Sequence, residues 1–199
     1  VLGEFAFMPA LSEAEKADKA GIAARLRKMY GDDAEKLQAL FAEAYPDKDP
    51  SDLLFLDSLF RAPSIEFLHK KAQHPESGTY SYMFSYTFPY DGGHLPWHCS
   101  EIPFVFHNTS LVAAFNEEGV TDLLEKQMCD AWLNFARTGK PSSDAPAWPA
   151  CTPDDEATMI FDRTCTVRHN YDHALIALHK KARPAFPFGG GDEEQKIQH

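Results

Sequence analysis

The chain has 199 residues, of which 30 are acidic and 19 basic, giving a formal net charge of −11. This acidic balance argues against nucleic-acid binding, which needs clustered lysine and arginine to contact phosphates. Hydrophobic residues make up 44% of the chain, which is enough for a packed core and too many for a disordered chain. No apolar run approaches the ~18 residues that a membrane-spanning helix needs, so we expect no membrane partner. The length fits one domain or a piece of a larger one.

The first residues, 1–7, are mostly apolar and contain neither an initiator methionine nor a signal peptide. Their composition is typical of the end of a buried strand. The sequence therefore predicts that the chain begins in the middle of a fold.

Four helices are predicted before residue 75 from apolar residues at helical spacing. Ser12 and Glu15 form a capping-box pattern at the start of the first helix. The predicted helices cover residues 14–30, 34–45, 51–60 and 62–74.

Aromatic residues alternate with small polar ones over residues 80–88, a pattern that predicts a strand buried on at least one face. A helix is predicted over residues 121–137 and ends at Gly139, and a hairpin follows around Asp162 and Arg163. A last helix is predicted over residues 171–181. The glycine-rich, charged residues 184–199 are predicted to form a tail, which leaves residues 1–183 as the folded part.

Neither the cysteines nor most of the histidines indicate a metal site. The four cysteines are far apart in the chain and lack the C-x-x-C spacing of zinc ligands. Free thiols are favoured over disulfides, which makes the cytoplasm the expected compartment, with secretion as the alternative. Solvated or packing roles are expected for six of the nine histidines: His69, His74, His169, His173, His179 and His199.

His98 differs from these histidines because it lies on a loop that follows a buried strand and a glycine pair. Such loops often carry catalytic groups in α/β proteins, and a histidine base needs an orienting carboxylate and a nucleophile. Glu4, among apolar residues at a strand end, is a candidate for the carboxylate, with a solvated surface role as the alternative. The nucleophile is missing, because the chain contains no G-x-S-x-G elbow. Cys99, adjacent to His98, is unfavourably placed for a nucleophile–base pair.

Residues 98–106, His-Cys-Ser-Glu-Ile-Pro-Phe-Val-Phe, resemble the histidine loop of type-B carboxylesterases, the family of para-nitrobenzyl esterases and cholinesterases. Further stretches resemble that family in the same order: the aromatic strand 80–88, residues 128–141 with the Ala-Trp-Pro turn at 147–149, and the hairpin start at 158–162. The resemblance covers residues 1 to about 183.

The resemblance implies the C-terminal portion of an α/β-hydrolase fold, with few strands, many helices and most of the central sheet missing. It also implies a Ser–Glu–His triad whose histidine is His98 and whose acid is Glu4, with no cofactor and no metal. Phe5 and Cys99 stand where the family usually has glycine. Glu101 matches a position that we interpret as structural, bonding the loop backbone.

We therefore expect the C-terminal part of a serine carboxylesterase, inactive alone, whose nucleophilic serine lies in an N-terminal portion. The expected partners are that portion and a small-molecule ester, with self-association through an uncovered apolar face as a further expectation. Two alternatives stay open: a non-catalytic hydrolase-like interaction module, and a Cys–His hydrolase that uses Cys99.

Overall fold

The structure is a computed structural model that describes residues 1–4, 6, 11–57, 59–74, 76–142 and 145–182. The predicted tail, 184–199, and the later part of the predicted opening strand lie outside these residues. The helices are α1 (Glu13–Ala17), α2 (Lys19–Tyr30), α3 (Ala34–Ala44), α4 (Arg61–Lys71), α5 (Ile102–Val105), α6 (Thr121–Thr138) and α7 (His173–Ala182), and the strands are β1 (Ser81–Phe84), β2 (Ala157–Phe161) and β3 (Thr166–His169). Short 3₁₀ segments cover Gly31–Asp33, Pro50–Phe55, Tyr90–Gly92 and Thr109–Phe115.

The three strands form one mixed sheet in the order β1-β2-β3. β1 is parallel to β2, with Ser81 opposite Thr158, and β2 is antiparallel to β3, with Met159 opposite Val167. All five residues of β2 are buried, as expected for the central strand. The predicted hairpin is confirmed.

The sheet separates two apolar clusters, because successive side chains of a strand point to opposite faces. Ile160 belongs to a cluster with residues of α2, α3 and α7. Met159 and Phe161 belong to a second, more aromatic cluster with residues of α5 and α6. The described part of the chain is thus a layered α/β arrangement with helices on both faces of the sheet.

The predicted strand over 80–88 is shorter in the structure, where β1 ends at Phe84. Beyond it, Ser85 N still donates to Phe161 O at 2.9 Å, and the chain then turns back so that Phe88 bridges to His94. Tyr86 and Phe88 are fully buried and pack on Phe84 and Phe104. The alternation therefore marks burial in the aromatic cluster beyond the end of the strand.

No strand is assigned over residues 1–4, although this segment lies against the sheet. Leu2 is buried, and its N–H donates to Phe84 O at 3.0 Å while its carbonyl accepts from Asp57 N at 3.0 Å. A single backbone hydrogen bond to the end of β1 is too little for a ladder. The segment therefore lies beside the end of β1 without forming a further strand of the sheet.

The helical predictions differ from the structure mainly at their ends. Ser12 caps α1 with Glu15 in a complete capping box, as predicted, but the first predicted helix is divided at Asp18, which ends α1 and caps α2. The predicted helix over 51–60 is a 3₁₀ turn, Pro50–Phe55, with Pro50 at its first position. None of the helices in the described residues is long and apolar enough to cross a membrane.

Asp52, in that 3₁₀ turn, offers a test of stability against pH. Burial and the charge of Asp49 raise the pKa of Asp52 from 3.8 to about 6. The folded chain therefore binds this proton more tightly than the unfolded chain, and stability falls as the pH rises from about 4 to about 6. Asp52→Asn should stabilise the chain by about 2 kcal/mol at pH 7 and by much less at pH 4.5.

Urea denaturation at the two pH values measures this difference, with Asp47→Asn, at an exposed position, as the matched control. An equal effect of Asp52→Asn at both pH values would show that the carboxylate does not titrate in this range.

Candidate active site

The backbone of residues 2–4 carries Glu4 to the carboxyl end of β1. After Leu2 has bonded to Phe84, Gly3 N donates to Pro96 O at 3.2 Å. A Cβ on Gly3 would lie 3.2 Å from that same carbonyl oxygen and 3.1 Å from the Cβ of Ala6. The glycine therefore allows the close approach that places Glu4 beside the loop that follows β1.

His98 lies on that loop, which is anchored on both sides. Before it, Leu95 is buried and the ring of Trp97 packs on Phe88 with centroids 5.0 Å apart. After it, a turn leads into α5, where Phe104 is buried in the aromatic cluster. The backbone N–H of His98 donates to Glu4 O at 3.0 Å, so the two segments are also joined by their main chains.

The side chains of these two residues meet, since His98 Nδ1 is hydrogen-bonded to Glu4 Oε1. The Glu4 side chain is 7% exposed and the His98 side chain 61% exposed. A buried carboxylate needs a partner, and His98 supplies it, so Glu4 is not the solvated strand-end residue of the alternative interpretation. With Nδ1 held as the donor, Nε2 is the nitrogen left to accept a proton at the surface.

Cys99 adopts a left-handed backbone conformation with φ of 66° and is exposed. This φ accounts for the glycine that the resembling family usually has at the position of Cys99, because glycine adopts such a φ without strain. The added side chain points to solvent and does not crowd the loop. No hydrogen bond joins Cys99 Sγ to His98, so the structure does not bring a Cys–His dyad together. All four cysteines are unpaired.

Phe60 lies over His98, with ring centroids 6.4 Å apart and planes inclined by 22°. Asp57 fixes the turn that carries Phe60, since its carboxylate accepts from the backbone N–H groups of Leu59, Phe60 and Arg61. Neither residue could be identified from the sequence. Both are separated from His98 along the chain, and a backbone hydrogen bond from Asp57 N to Leu2 O at 3.0 Å joins their segment to the one that carries Glu4.

Two polar atoms near His98 are buried and have no hydrogen-bond partner among the described residues: Ser100 Oγ and Glu101 Oε2. Ser100 is 6% exposed and is therefore not accessible as a nucleophile. Among the described residues, Glu101 Oε2 therefore does not make the hydrogen bond to the loop backbone that was predicted for this side chain.

Among the remaining histidines, the structure places His179 in the core, with a 3.0 Å hydrogen bond between Nε2 and the Tyr30 hydroxyl. His74 lies beside Glu76 at the surface, and His169 Nδ1 is 2.8 Å from Asp155. These agree with the predicted packing and solvated roles. The rings of His69 and His173 are in edge contact. His199 lies outside the described residues.

Comparison with known proteins gives a consistent result. The family model described as "Carboxylesterase family" matches residues 4–178. Para-nitrobenzyl esterase of Bacillus subtilis (strain 168) is 29% identical over 133 residues, or 65% of this chain and 27% of that protein. Acylcarnitine hydrolase of Rattus norvegicus is 31% identical over 137 residues, covering 65% of this chain and 22% of that protein.

Among solved structures, an esterase from the anaerobe Clostridium hathewayi, described as hydrolysing aliphatic aromatic polyesters, is 48% identical with a TM-score of 0.84. The match covers 91% of this chain and 36% of that one. A thermophilic PNB esterase matches with a TM-score of 0.60 at 23% identity and supports the fold alone.

The chain spans about a third or less of the length of these relatives, and its fold is part of the α/β-hydrolase fold that they share. The matched residues, 4–178, begin at Glu4 and include His98 and the whole sheet. The chain belongs to the carboxylesterase family.

Proposed function

We propose that this chain is the C-terminal portion of a serine carboxylesterase and supplies two members of its catalytic triad, His98 and Glu4. The observation that carries the proposal is the hydrogen bond between His98 Nδ1 and the buried carboxylate of Glu4, on an imidazole that is otherwise open to solvent. A carboxylate bonded to Nδ1 of an exposed imidazole is the arrangement that the acid and histidine of a serine hydrolase triad adopt, which supports the proposal.

In the proposed reaction, the serine hydroxyl attacks the carbonyl carbon of a carboxylic ester while His98 Nε2 accepts the hydroxyl proton. The tetrahedral intermediate then collapses, and His98 donates that proton to the departing alcohol. Glu4 holds the Nδ1–H tautomer and stabilises the imidazolium that forms between these steps. A water molecule, deprotonated by the same nitrogen, then attacks the acyl carbon. The bond to the serine oxygen breaks, the carboxylic acid leaves, and His98 returns the proton to the serine.

The serine belongs, in this proposal, to an N-terminal portion. The 199 residues contain no G-x-S-x-G, the elbow that exposes a nucleophilic serine in this fold. Ser100, the serine nearest to His98 in the sequence, is buried. The backbone N–H groups that bind the oxyanion would come from the same N-terminal portion.

The surface beside β1 supports this arrangement. A groove of about 230 Å³ follows the strand edge and is lined by Val1, Phe60, Phe67 and Tyr82 among others. Phe60 and Phe67 are 51% and 66% exposed, which is unusual for large aromatic residues so close together. An N-terminal portion that covered this groove would extend the sheet and bury both rings. Left uncovered, the same surface would favour self-association.

The proposed substrate is a small carboxylic ester, and the proposed compartment is the cytoplasm, in line with four free thiols.

Complementation tests the proposal. The 199-residue chain is mixed with the portion of the Clostridium hathewayi esterase that precedes the residue matching Val1, and hydrolysis of p-nitrophenyl butyrate is followed. We expect activity only in the mixture. If both parts are folded and associate without any gain in hydrolysis, the proposal is wrong and the interaction-module alternative is favoured.

Gly3→Ala tests how the site is held together. A Cβ at this position would lie within 3.2 Å of Ala6, Leu95 and the Pro96 carbonyl, so the Gly3–Pro96 contact must open and move Glu4 away from His98. We expect a loss of about 1–3 kcal/mol in unfolding free energy, together with a fall in kcat per folded molecule in the complemented enzyme.

Gly31→Ala is the matched control for this prediction, because Gly31 has φ of 58° with open space around it. That variant should lose stability through backbone strain alone and keep its kcat. Equal kcat values for the two variants would show that Gly3 does not position the triad acid.

A further inference from the structure

Three potential metal ligands from separate parts of the chain meet on the side of the sheet where α4 and α7 pack together. His69 lies in the last turn of α4, His173 is the first residue of α7, and Glu156 precedes β2. The catalytic pair proposed above uses none of them. The two imidazole rings are in edge contact, with centroids 5.6 Å apart.

The donor atoms of this His–Glu–His cluster lie close enough to share one ion. One nitrogen from each histidine and one Glu156 oxygen all lie within 4.8 Å of one another, and His173 Nε2 is 3.0 Å from Glu156 Oε2. Metal–nitrogen and metal–oxygen bonds of about 2.0–2.2 Å place the ligands of a tetrahedral ion about 3.3 Å apart. Small rotations of the two imidazoles would reach that geometry.

His69 is the member of the cluster whose role is otherwise unexplained. Its Nε2 is buried and has no hydrogen-bond partner among the residues that the structure describes. A buried nitrogen without a partner costs free energy, and a bound ion is one of the few groups that would satisfy it.

Glu156 supplies the charge that a cation needs. Its carboxylate is fully buried, and Oε1 lies 2.8 Å from Arg61 Nη1, so it is held as one member of a buried ion pair. Its Oε1 accepts from Arg61, Ser81 and Thr158, so Oε2 is the oxygen that faces His173.

The charge of Arg61 does not exclude a cation here, because Asp172 balances it. Arg61 Nε and Nη2 donate to the two Asp172 oxygens at 2.8 and 2.6 Å. The charge of Glu156 is therefore left to interact with an ion on its other side.

We propose that His69, Glu156 and His173 bind a divalent transition-metal ion, with Zn²⁺ as the best match to two imidazoles and one carboxylate. The ion would tie the end of α4 to the start of α7 and to the segment before β2. The site stabilises the fold and takes no part in ester hydrolysis. Because the three ligands are distant in sequence, no short sequence motif predicts this metal site.

Calorimetric titration of the metal-free 199-residue chain with Zn²⁺ tests the proposal. We expect binding of one ion that raises the Tm by about 5–10 °C at a hundredfold excess over Kd. His69→Gln and His173→Gln should each weaken Zn²⁺ binding at least about tenfold. The matched control is His74→Gln, which removes an exposed histidine and should leave the Kd unchanged.

If the two ligand variants fail to fold, diethylpyrocarbonate labelling of the unaltered chain decides the question. Zn²⁺ should slow the modification of His173, whose side chain is 26% exposed, and leave that of His74 unchanged. Unaltered Kd values in folded ligand variants, or equal labelling of His173 with and without Zn²⁺, would overturn the proposal.

Discussion

Replacing His98 by alanine should lower the kcat of the complemented enzyme for p-nitrophenyl butyrate by on the order of 10⁴-fold or more. The reason is that Nε2 of His98 is the atom proposed to take the serine proton and return it to the leaving alcohol. The side chain is 61% exposed, so its removal leaves no cavity, but it takes away the partner of the buried Glu4 carboxylate, and kcat is therefore compared per folded molecule. Steady-state kinetics on the folded complex measure the loss.

Two further variants test whether the loss of kcat is specific to the His98–Glu4 pair. Glu4→Gln keeps the size of the acid but removes its charge and can present a donor to Nδ1, so kcat should fall by about 10³–10⁴-fold. His74→Ala removes a surface histidine beside Glu76 and should leave kcat within twofold or so of the unaltered chain. If His98→Ala retained most of the activity, His98 would not be the base.

Arg61→Ala should give the largest loss of stability, about 3–5 kcal/mol. The guanidinium is 5% exposed and bridges Asp172 and Glu156, whose side chains are both 0% exposed. Removing it would leave two buried carboxylates without their cation, which costs much more than losing a surface pair. Since a chain of this kind is stable by about 5–15 kcal/mol, the variant should unfold at much lower urea concentration.

The control for this prediction is Arg25→Ala. Arg25 pairs with Glu15 at 2.7 Å, but both side chains are about half exposed, and such pairs contribute less than about 1 kcal/mol. Equal urea midpoints for the two variants would contradict the view that the Arg61 ion pairs hold α4 against the end of the sheet.

The two residues of the candidate site could be predicted because each lies in a recognisable local context. His98 stands in a loop whose sequence resembles one family, and Glu4 is an acid among apolar neighbours at the start of the chain. Their meeting depends on three backbone hydrogen bonds that no sequence pattern shows: Leu2 to Phe84, Gly3 to Pro96 and His98 to Glu4.

The contact of Phe60 with His98 could not be predicted for the same reason. The helical spacing around Phe60 indicates a helix, whereas the structure has a turn fixed by three backbone N–H groups on Asp57. The Asp57 carboxylate accepts from backbone N–H groups that would donate to backbone carbonyls in a continuous helix. A turn therefore forms here despite the local helix propensity.

Burial was easier to predict than strand pairing. The aromatic alternation over residues 80–88 correctly indicates inward-facing side chains from Phe84 onward, since Phe84, Tyr86 and Phe88 are each 0% exposed, whereas Tyr82 is 37% exposed. The alternation does not predict where the pairing of β1 with β2 ends, because the pairing ends where β2 itself ends, before the turn at Asp162. Helix starts with side-chain caps, such as Ser12, were predictable because the signal is local.

The central claim, that this chain carries the histidine and another portion carries the serine, is tested most directly by covalent labelling. The complemented enzyme is treated with a fluorophosphonate probe, which reacts with an activated serine, and the two polypeptides are separated. We predict that the label lies on the N-terminal portion, that it appears only when the 199-residue chain is present, and that His98→Ala abolishes it. Label on the 199-residue chain, or equal labelling of the N-terminal portion alone, would contradict the claim.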